Sequence, residues 1–334
     1  MLKQIAIVTP VLDDWESLVT LIGEISAHYA GAGVSFHVYA VDDGSNEPFD
    51  VECIRLPADT CVLSVEILRL SANLGHQRAI AIGLCTIAHR NEFDAVIVMD
   101  SDGEDRPLDI AALITAAQRH PGHVVVAERA KRSERALFKL GYLAYKFLFH
   151  LLIGRTINFG NFSLLPMAAV GRLVHMPDLW NNLPATILRS RLRYTTVPTE
   201  RGTRYAGCSR MNLVALIVHG LSAMSVYIDM IFVRVLMAAG AIVALSIAGL
   251  VAVAALRIMT DLAIPGWATT VAGDLMIILL LTLVMLAATS LMMLAGRSNR
   301  PIIPIVDSEH FVALREQWQL RRPTLAAVPA RIAR

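Results

Sequence analysis

Cysteine is scarce and never paired. Cys53, Cys61, Cys85 and Cys208 are the four in 334 residues, and they show neither C-x-x-C pairing nor zinc-ligand spacing, which reads as reduced thiols in a cytosolic domain. The ten histidines include no H-E-x-x-H and no paired metal spacing; they read as structural, with His76 set apart by position alone. G-x-S-x-G, the P-loop pattern and G-x-G-x-x-G are all missing, which disfavours α/β-hydrolase, P-loop and dinucleotide-binding readings. Acidic and basic residues nearly cancel at a net charge of +2, so charge names no polyanionic partner and no nucleic acid is expected. There is no internal repeat and no low-complexity tract. The start of the chain carries one lysine and a five-residue apolar run, too short for a signal-peptide core, and the N-terminus is expected in the cytoplasm.

Apolar residues are what the chain has in excess. Hydrophobic residues make up 55%, mean hydropathy is +0.54, and the excess lies after about residue 212. The length suits one domain of roughly 200 residues plus something else. Val235 to Leu256 and Leu275 to Gly296 each run 22 residues without a charge, enough to cross a bilayer. Buried core helices of a soluble protein are the plainer alternative, disfavoured because uncharged runs this long are rare in such cores. Arg234 precedes the first run, and Arg297 and Arg300 follow the second. The connection holds Arg257 against Asp261 and Asp274. By the positive-inside rule both ends are cytoplasmic in a multi-pass plasma-membrane protein, with an external loop around Pro265-Gly266-Trp267.

The expected organisation is a cytoplasmic catalytic domain (1–210), a juxtamembrane amphipathic helix (211–233), a first span (234–257), an external loop (258–274), a second span (275–296) and a basic cytoplasmic tail (297–334). Met211 to Val233, with His219 and Asp229, suits a helix lying in the membrane interface and equally one packed on the domain. The tail is punctuated by Pro301, Pro304, Pro323 and Pro329 and is expected to be partly disordered. Its arginines can meet anionic headgroups or simply be solvated. Small residues such as Ala238, Gly240 and Ala244 let spans pack closely, which leaves room for a homo-oligomer.

Before the spans, short apolar runs alternate with amphipathic stretches. Strands are predicted at Ile5–Val8, Phe36–Val41, Val65–Leu70, Ala95–Met99 and Val124–Ala127, with helices over 13–29, 75–89 and 108–119. The predicted fold class is α/β, a mostly parallel sheet with helices on both faces. Such sheets bind ligands at the carboxyl ends of their strands.

Two acidic clusters sit there. Asp100 and Asp102 follow an apolar strand at i and i+2, so both carboxylates can face one hard cation, Mg²⁺ or Mn²⁺, that holds a diphosphate on its other side. A strand-end turn explains them more plainly. Asp42-Asp43-Gly44-Ser45 can accept hydrogen bonds from a base or ribose, or be a surface turn. Asn73-Leu74-Gly75 opens a helix whose free N–H groups favour anions. Arg129, Arg132 and Arg135 fall three apart after the fifth strand, able to hold phosphates or to line a solvated helix. Arg201, Arg204, Ser209 and Arg210 come just before the membrane segment, where an anionic group arriving from lipid would be met.

The order of these motifs resembles the family 2 glycosyltransferases of GT-A fold. Thr9-Pro10-Val11, Val41-Asp42-Asp43-Gly44-Ser45, Ser71-Ala72-Asn73-Leu74-Gly75, Met99-Asp100-Ser101-Asp102-Gly103-Glu104-Asp105-Arg106-Pro107, Arg129-Ala130-Lys131-Arg132, Asn161-Phe162 and Arg201 to Arg210 carry the likeness. The two spans resemble those of the polyprenyl-phosphate group, which contains dolichyl-phosphate mannose synthase and bacterial undecaprenyl-phosphate sugar transferases. The resemblance implies that Pro10, Asp42 and Asp43 meet the nucleotide and that Asp100, Asp102 and Glu104 hold a metal and diphosphate. It implies an inverting attack by a lipid monophosphate on a nucleoside-diphosphate sugar, with Arg129 and Arg132 on the acceptor phosphate, assisted by Arg201 and Arg204. Uracil and guanine both fit the motif. Glu104 stands where the family has Gln, Ala72 where it often has Arg, and Arg210 where it usually has Lys. The Gln-x-x-Arg-Trp motif of processive synthases is not matched. An inactive membrane scaffold, another acceptor, and a nucleotidyltransferase that would release pyrophosphate are the alternative readings.

Overall fold

The computed structural model describes residues 2–57, 59–129, 150–154, 157–206, 213–260, 266–298 and 300–320. They fall into two compact units. The first contains the residues before 140, Ile157–Val226 and the chain from Ile302 onward; the second contains Tyr227–Pro301 and the stretch around residues 150–154.

The first unit is built on one sheet. β1 (Gln4–Val11), β2 (Ser35–Asp42), β3 (Val62–Leu70), β4 (Ala95–Val98), β5 (Val124–Arg129), β6 (Ser163–Pro166), β7 (Tyr194–Thr199) and β8 (Val312–Gln319) lie in the order β7-β5-β6-β4-β1-β2-β3-β8. β1 is parallel to both β2 and β4, and β2 to β3, while β6 and β8 run the other way. The predicted α/β sheet, mostly parallel with helices on both faces, is present. Alternation along β1 explains the two layers: Ile5 and Ile7 pack with α1 (Trp15–Tyr29) and α3 (Ile110–Arg119), and Ala6 and Val8 with α2 (His76–Arg90). All four are fully buried, as strands covered on both faces require.

Gly83 sets the depth of α2. A Cβ there would lie 2.6 Å from Val8 Cγ1 and 3.0 Å from Val41 Cγ2, so the helix sits closer than any side chain allows. Gly83→Val is expected to cost about 1–3 kcal/mol by overpacking. Urea titration of the purified protein checks it, and an unchanged midpoint would mean that the layer can yield at no cost.

The described part of the tail, up to residue 320, is ordered into regular elements. Pro304–Asp307 is a helical turn, and β8 pairs antiparallel with β3, from Ser64 opposite Gln319 to Leu70 opposite Val312. Ile305 N–H donates to the Val174 carbonyl at 3.0 Å, and Ser71 N–H to the Phe311 carbonyl at 2.9 Å. Pro304 opens a first helical turn, where proline's missing N–H costs nothing, so the prolines mark boundaries. The interface segment is also divided. One helix, Leu213–Ser225, stops before Val226, whose carbonyl accepts from Arg189, and a second begins at Ile228. Val226 is buried while Val218 and Leu221 are exposed.

In the second unit, Ile228–Met259 and Trp267–Ser298 are helices long and apolar enough to cross a membrane. At 32 residues each is about 48 Å long, against roughly 30 Å of hydrocarbon. Almost none of either helix is buried: Leu245, Ile258 and Met292 are more than 70% exposed. A core helix would be covered. Where the pair touches, Gly249 lies under Leu275, and Ser246 and Val253 are buried, the close packing that small residues permit.

Candidate active site

The carboxyl ends of β2, β1 and β4 lie side by side, and the chain's strand order reverses there, with β2 on one side of β1 and β4 on the other. Pro10 is opposite Val41 and Val11 opposite Asp42, and Met99 N–H donates to the Val8 carbonyl at 3.1 Å. The Ser101 hydroxyl donates to the Pro10 carbonyl at 3.3 Å. Parallel pairing therefore joins the two acidic clusters that are far apart in sequence.

Asp42 and Asp43 are both buried and both used by the fold. Asp42 Oδ1 accepts from Ser45 N at 2.7 Å, and Arg69 Nε stands 3.4 Å from Oδ2. Asp43 accepts from Leu74 N at 2.7 Å and Gly75 N at 2.9 Å. Burial raises the Asp43 carboxyl above its usual range, an effect opposed by the bonds from Leu74 and Gly75. The Gly75 N–H expected to face an anion is thus turned to Asp43. Gly75 has φ +91° and Gly44 φ +86°, and a Cβ on Gly44 would sit 3.0 Å from Asn73 N, so this junction needs both glycines. Asn73 itself is exposed.

The Asp100–Asp105 turn closes on itself. Asp100 N–H donates to Asp105 Oδ2 at 3.0 Å, and Glu104 N–H to Asp102 Oδ1 at 2.9 Å. Across it lies the chain that leaves β7. Gly202 N–H donates to the Glu104 carbonyl and Tyr205 N–H to the Asp102 carbonyl, both at 2.9 Å. Arg204 Nη1 is 3.0 Å from Asp102 Oδ2, its Nη2 is 3.9 Å from Asp14, and Arg201 pairs with Glu104. The Tyr205 hydroxyl donates to Glu24 Oε2 at 2.6 Å; burial and that carboxylate push its phenol up. Gly103 has φ +87°, and a Cβ there would lie 2.8 Å from the Thr203 carbonyl and 2.9 Å from the Tyr205 ring.

Of the residues singled out from sequence, Asp100, Asp102, Glu104, Arg201 and Arg204 come together here, beside Pro10. Arg129 ends β5 opposite Thr199 of β7, at the root of the 200–205 segment. Arg132, Ser209 and Arg210 lie outside the described residues. Asp14, Glu24 and Arg69 were missed, and Asp105 and Tyr205 fell inside motifs of the likeness without being given a role. Asp14, Glu24 and Arg69 carry no local signal. Carboxylate oxygens at a strand end suit a hard divalent cation, and Asp100 and Asp102 fit that role. Glu104 is turned to Arg201, and among the described residues no three His, Cys, Asp or Glu side chains gather into a cation site.

An α/β sheet of this kind binds its ligand in the crevice at the reversal of its strand order, where the acidic turns lie. Residues 6–176, just over half the chain, match the model of glycosyl transferase family 2, and the chain belongs to that family. An undecaprenyl-phosphate 4-deoxy-4-formamido-L-arabinose transferase of Salmonella paratyphi A is 25% identical over 224 residues, and its counterpart in Yersinia enterocolitica 24% over 221. The matched region spans 65% of this chain and 65% of each relative. Among solved structures, glucosyl-3-phosphoglycerate synthase from Mycobacterium tuberculosis overlaps 69% of this chain and 80% of its own at 14% identity and a TM-score of 0.47. Mannosyl-3-phosphoglycerate synthase from Rubrobacter xylanophilus overlaps 68% and 73% at 14% identity and 0.48.

Proposed function

We propose that this protein transfers a sugar from a nucleoside-diphosphate sugar to a polyprenyl phosphate at the cytoplasmic face of the plasma membrane, with inversion at the anomeric carbon. The observation that carries this reading is the Asp100–Asp102 turn at the strand-order reversal, in a chain that also holds two bare apolar helices. Relatives whose printed names give undecaprenyl phosphate as acceptor support the acceptor class.

Asp100 and Asp102 would hold Mg²⁺ or Mn²⁺, which would neutralise charge on the leaving diphosphate. The acceptor needs no strong base, because a phosphate monoester with its second pKa at about 6 is mostly dianionic at neutral pH. One of its oxygens forms the new bond to the anomeric carbon as the bond to the diphosphate oxygen breaks, the electron pair leaving with the nucleoside diphosphate. The chain's task is to bring two anions together and fix their line of approach. Arg129 and Arg132, with Arg201 and Arg204, would bind the acceptor phosphate. Pro10 and the Asp42–Ser45 loop frame the nucleotide, with Asp43 holding the Asn73–Gly75 junction in place. Ser209 and Arg210 would add contacts next to the membrane.

Both apolar helices lie between parts of one unit: β1–β7 precede them and β8 follows. If they cross the bilayer, they must cross and return. Arg234, Arg297 and Arg300 then face the cytoplasm with the catalytic domain.

The test is transfer from a panel of radiolabelled UDP- and GDP-sugars to undecaprenyl phosphate in detergent. A labelled charged lipid, a nucleoside diphosphate as co-product and loss of transfer with EDTA are expected. The arginines seated on Asp102 and Glu104 favour one other reading, an inactive scaffold. Absence of both transfer and nucleotide binding across the panel would establish it, and released pyrophosphate would mark a nucleotidyltransferase.

A further inference from the structure

The segment that follows β7 has a task of its own. Residues 200–205 are tied to the acidic turn by two backbone hydrogen bonds, from Gly202 to Glu104 and from Tyr205 to Asp102. Two ion pairs, Arg204 with Asp102 and Arg201 with Glu104, lie on the same turn. Its ends are fastened differently. Glu200 accepts from Arg106 at 2.8 Å, and Tyr205 is bonded to Glu24 on α1. The approach is too close for side chains: a Cβ on Gly202 would meet the Gly103 carbonyl.

Two features bear on the charges that help to hold the segment. Arg201 and Arg204 are 40% and 27% exposed, and the Nε of Arg204 is buried with no hydrogen-bond partner, so its guanidinium is incompletely satisfied where it sits. Asp102 Oδ2, the oxygen that Arg204 covers, belongs to a carboxylate that a cation would need. A guanidinium and a divalent cation cannot both take that oxygen at full strength.

We infer that residues 200–205 form a strap latched over the acidic turn, in which Arg204 and Arg201 serve as resident counter-ions and are released when Asp102 takes up a divalent cation. This rests on the reading of Asp102 as a cation ligand. Release couples two events that the reaction needs together: Asp102 becomes available to the cation, and two guanidinium groups become available to phosphate. Arg204 is a positioning residue in the closed strap and a phosphate ligand in the open one. Tyr205 and Glu24 form the anchor from which the strap swings.

Mn²⁺ binding to the full-length protein in detergent, followed by electron paramagnetic resonance without nucleotide, tests this directly. Arg204→Gln is expected to tighten Mn²⁺ binding by about fivefold, the range of a partly exposed ion pair, with Arg204→Lys close to the natural protein. Hydrogen exchange supplies a second readout: Mn²⁺ should speed exchange at the Gly202 and Tyr205 amides of the natural protein. Tyr205→Phe, which removes only the hydroxyl on Glu24, should speed it without Mn²⁺. Equal Mn²⁺ affinity in the natural protein and Arg204→Gln, with exchange at those amides unchanged, overturns the strap while leaving the cation site standing. No Mn²⁺ binding by either protein, even with UDP- and GDP-sugars, overturns the cation site and the strap with it.

Discussion

Asp102→Asn is expected to lower transfer by roughly 10²–10³-fold, the cost of removing one group aimed at charge that develops in the transition state. The substitution is close to isosteric. Its amide oxygen can still accept the Glu104 N–H that Asp102 Oδ1 accepts at 2.9 Å, so the turn keeps its shape while the negative charge is lost. The fall should therefore appear in kcat with the thermal midpoint nearly constant. Glu104→Gln is the informative contrast. Glu104 faces Arg201, and Gln keeps the side chain's size and its acceptor oxygen, so activity should stay within about threefold, the scale of a partly exposed ion pair. A loss at Glu104 as deep as that at Asp102 would mean that three carboxylates hold the cation. Full activity in Asp102→Asn would remove the acidic turn from the reaction altogether.

Much of the fold was legible because its signals are local. β1, β2 and β4 are unbroken apolar runs bounded by turn residues, and the two long C-terminal helices are apolar enough to stand out from composition alone. β6 has four residues and β7 is half-exposed with the pattern Tyr-Thr-Thr-Val-Pro-Thr, so neither rises above the background of short apolar stretches. Nor does local sequence give direction. β6 runs against both its neighbours, β4 and β5, and no residue within it announces that direction.

The site divides in the same way. A carboxylate pair two residues apart at a strand end can be read directly, and so can the likeness of Asp42–Ser45 and Asn73–Gly75 to turns. What those groups are bonded to cannot. Asp43 looks free to meet a ligand in sequence, yet its partners are the N–H groups of Leu74 and Gly75, 31 and 32 residues on. Arg204 meets Asp102 and Tyr205 meets Glu24 across most of the first unit. Such pairs arise from the order of strands, which brings the end of β7 past β5 and onto the turn after β4. Charge alone suggested phosphate clamps at Arg201 and Arg204; their carboxylate partners show that the same groups have a resting place.

Ending the chain after Arg300 is expected to lower the thermal midpoint by about 10 °C or more, as a loss of some 4 kcal/mol would in a domain of this size. β8 is the cover of an otherwise open edge. Without it β3 would present unpaired backbone from Val62 to Leu70, with Val62, Val65, Ile67 and Leu68 now buried, and an apolar open edge invites pairing with another chain. The aromatic contacts at either end would go as well: Trp318 lies 5.9 Å from Phe49, and Phe311 5.1 Å from Trp180. Trp318→Ala should reproduce part of the loss, about 2–3 kcal/mol, at the low end for a large aromatic because the ring is only half-buried. The measurement is the melting transition and size distribution of the detergent-solubilised protein. A truncated chain that stays monodisperse and melts at the same temperature would make β8 an ornament on the sheet. A chain that aggregates when cut there would explain why a segment following the second apolar helix must return to the domain that precedes the first: the sheet is incomplete until the chain beyond both apolar helices is brought back to its edge.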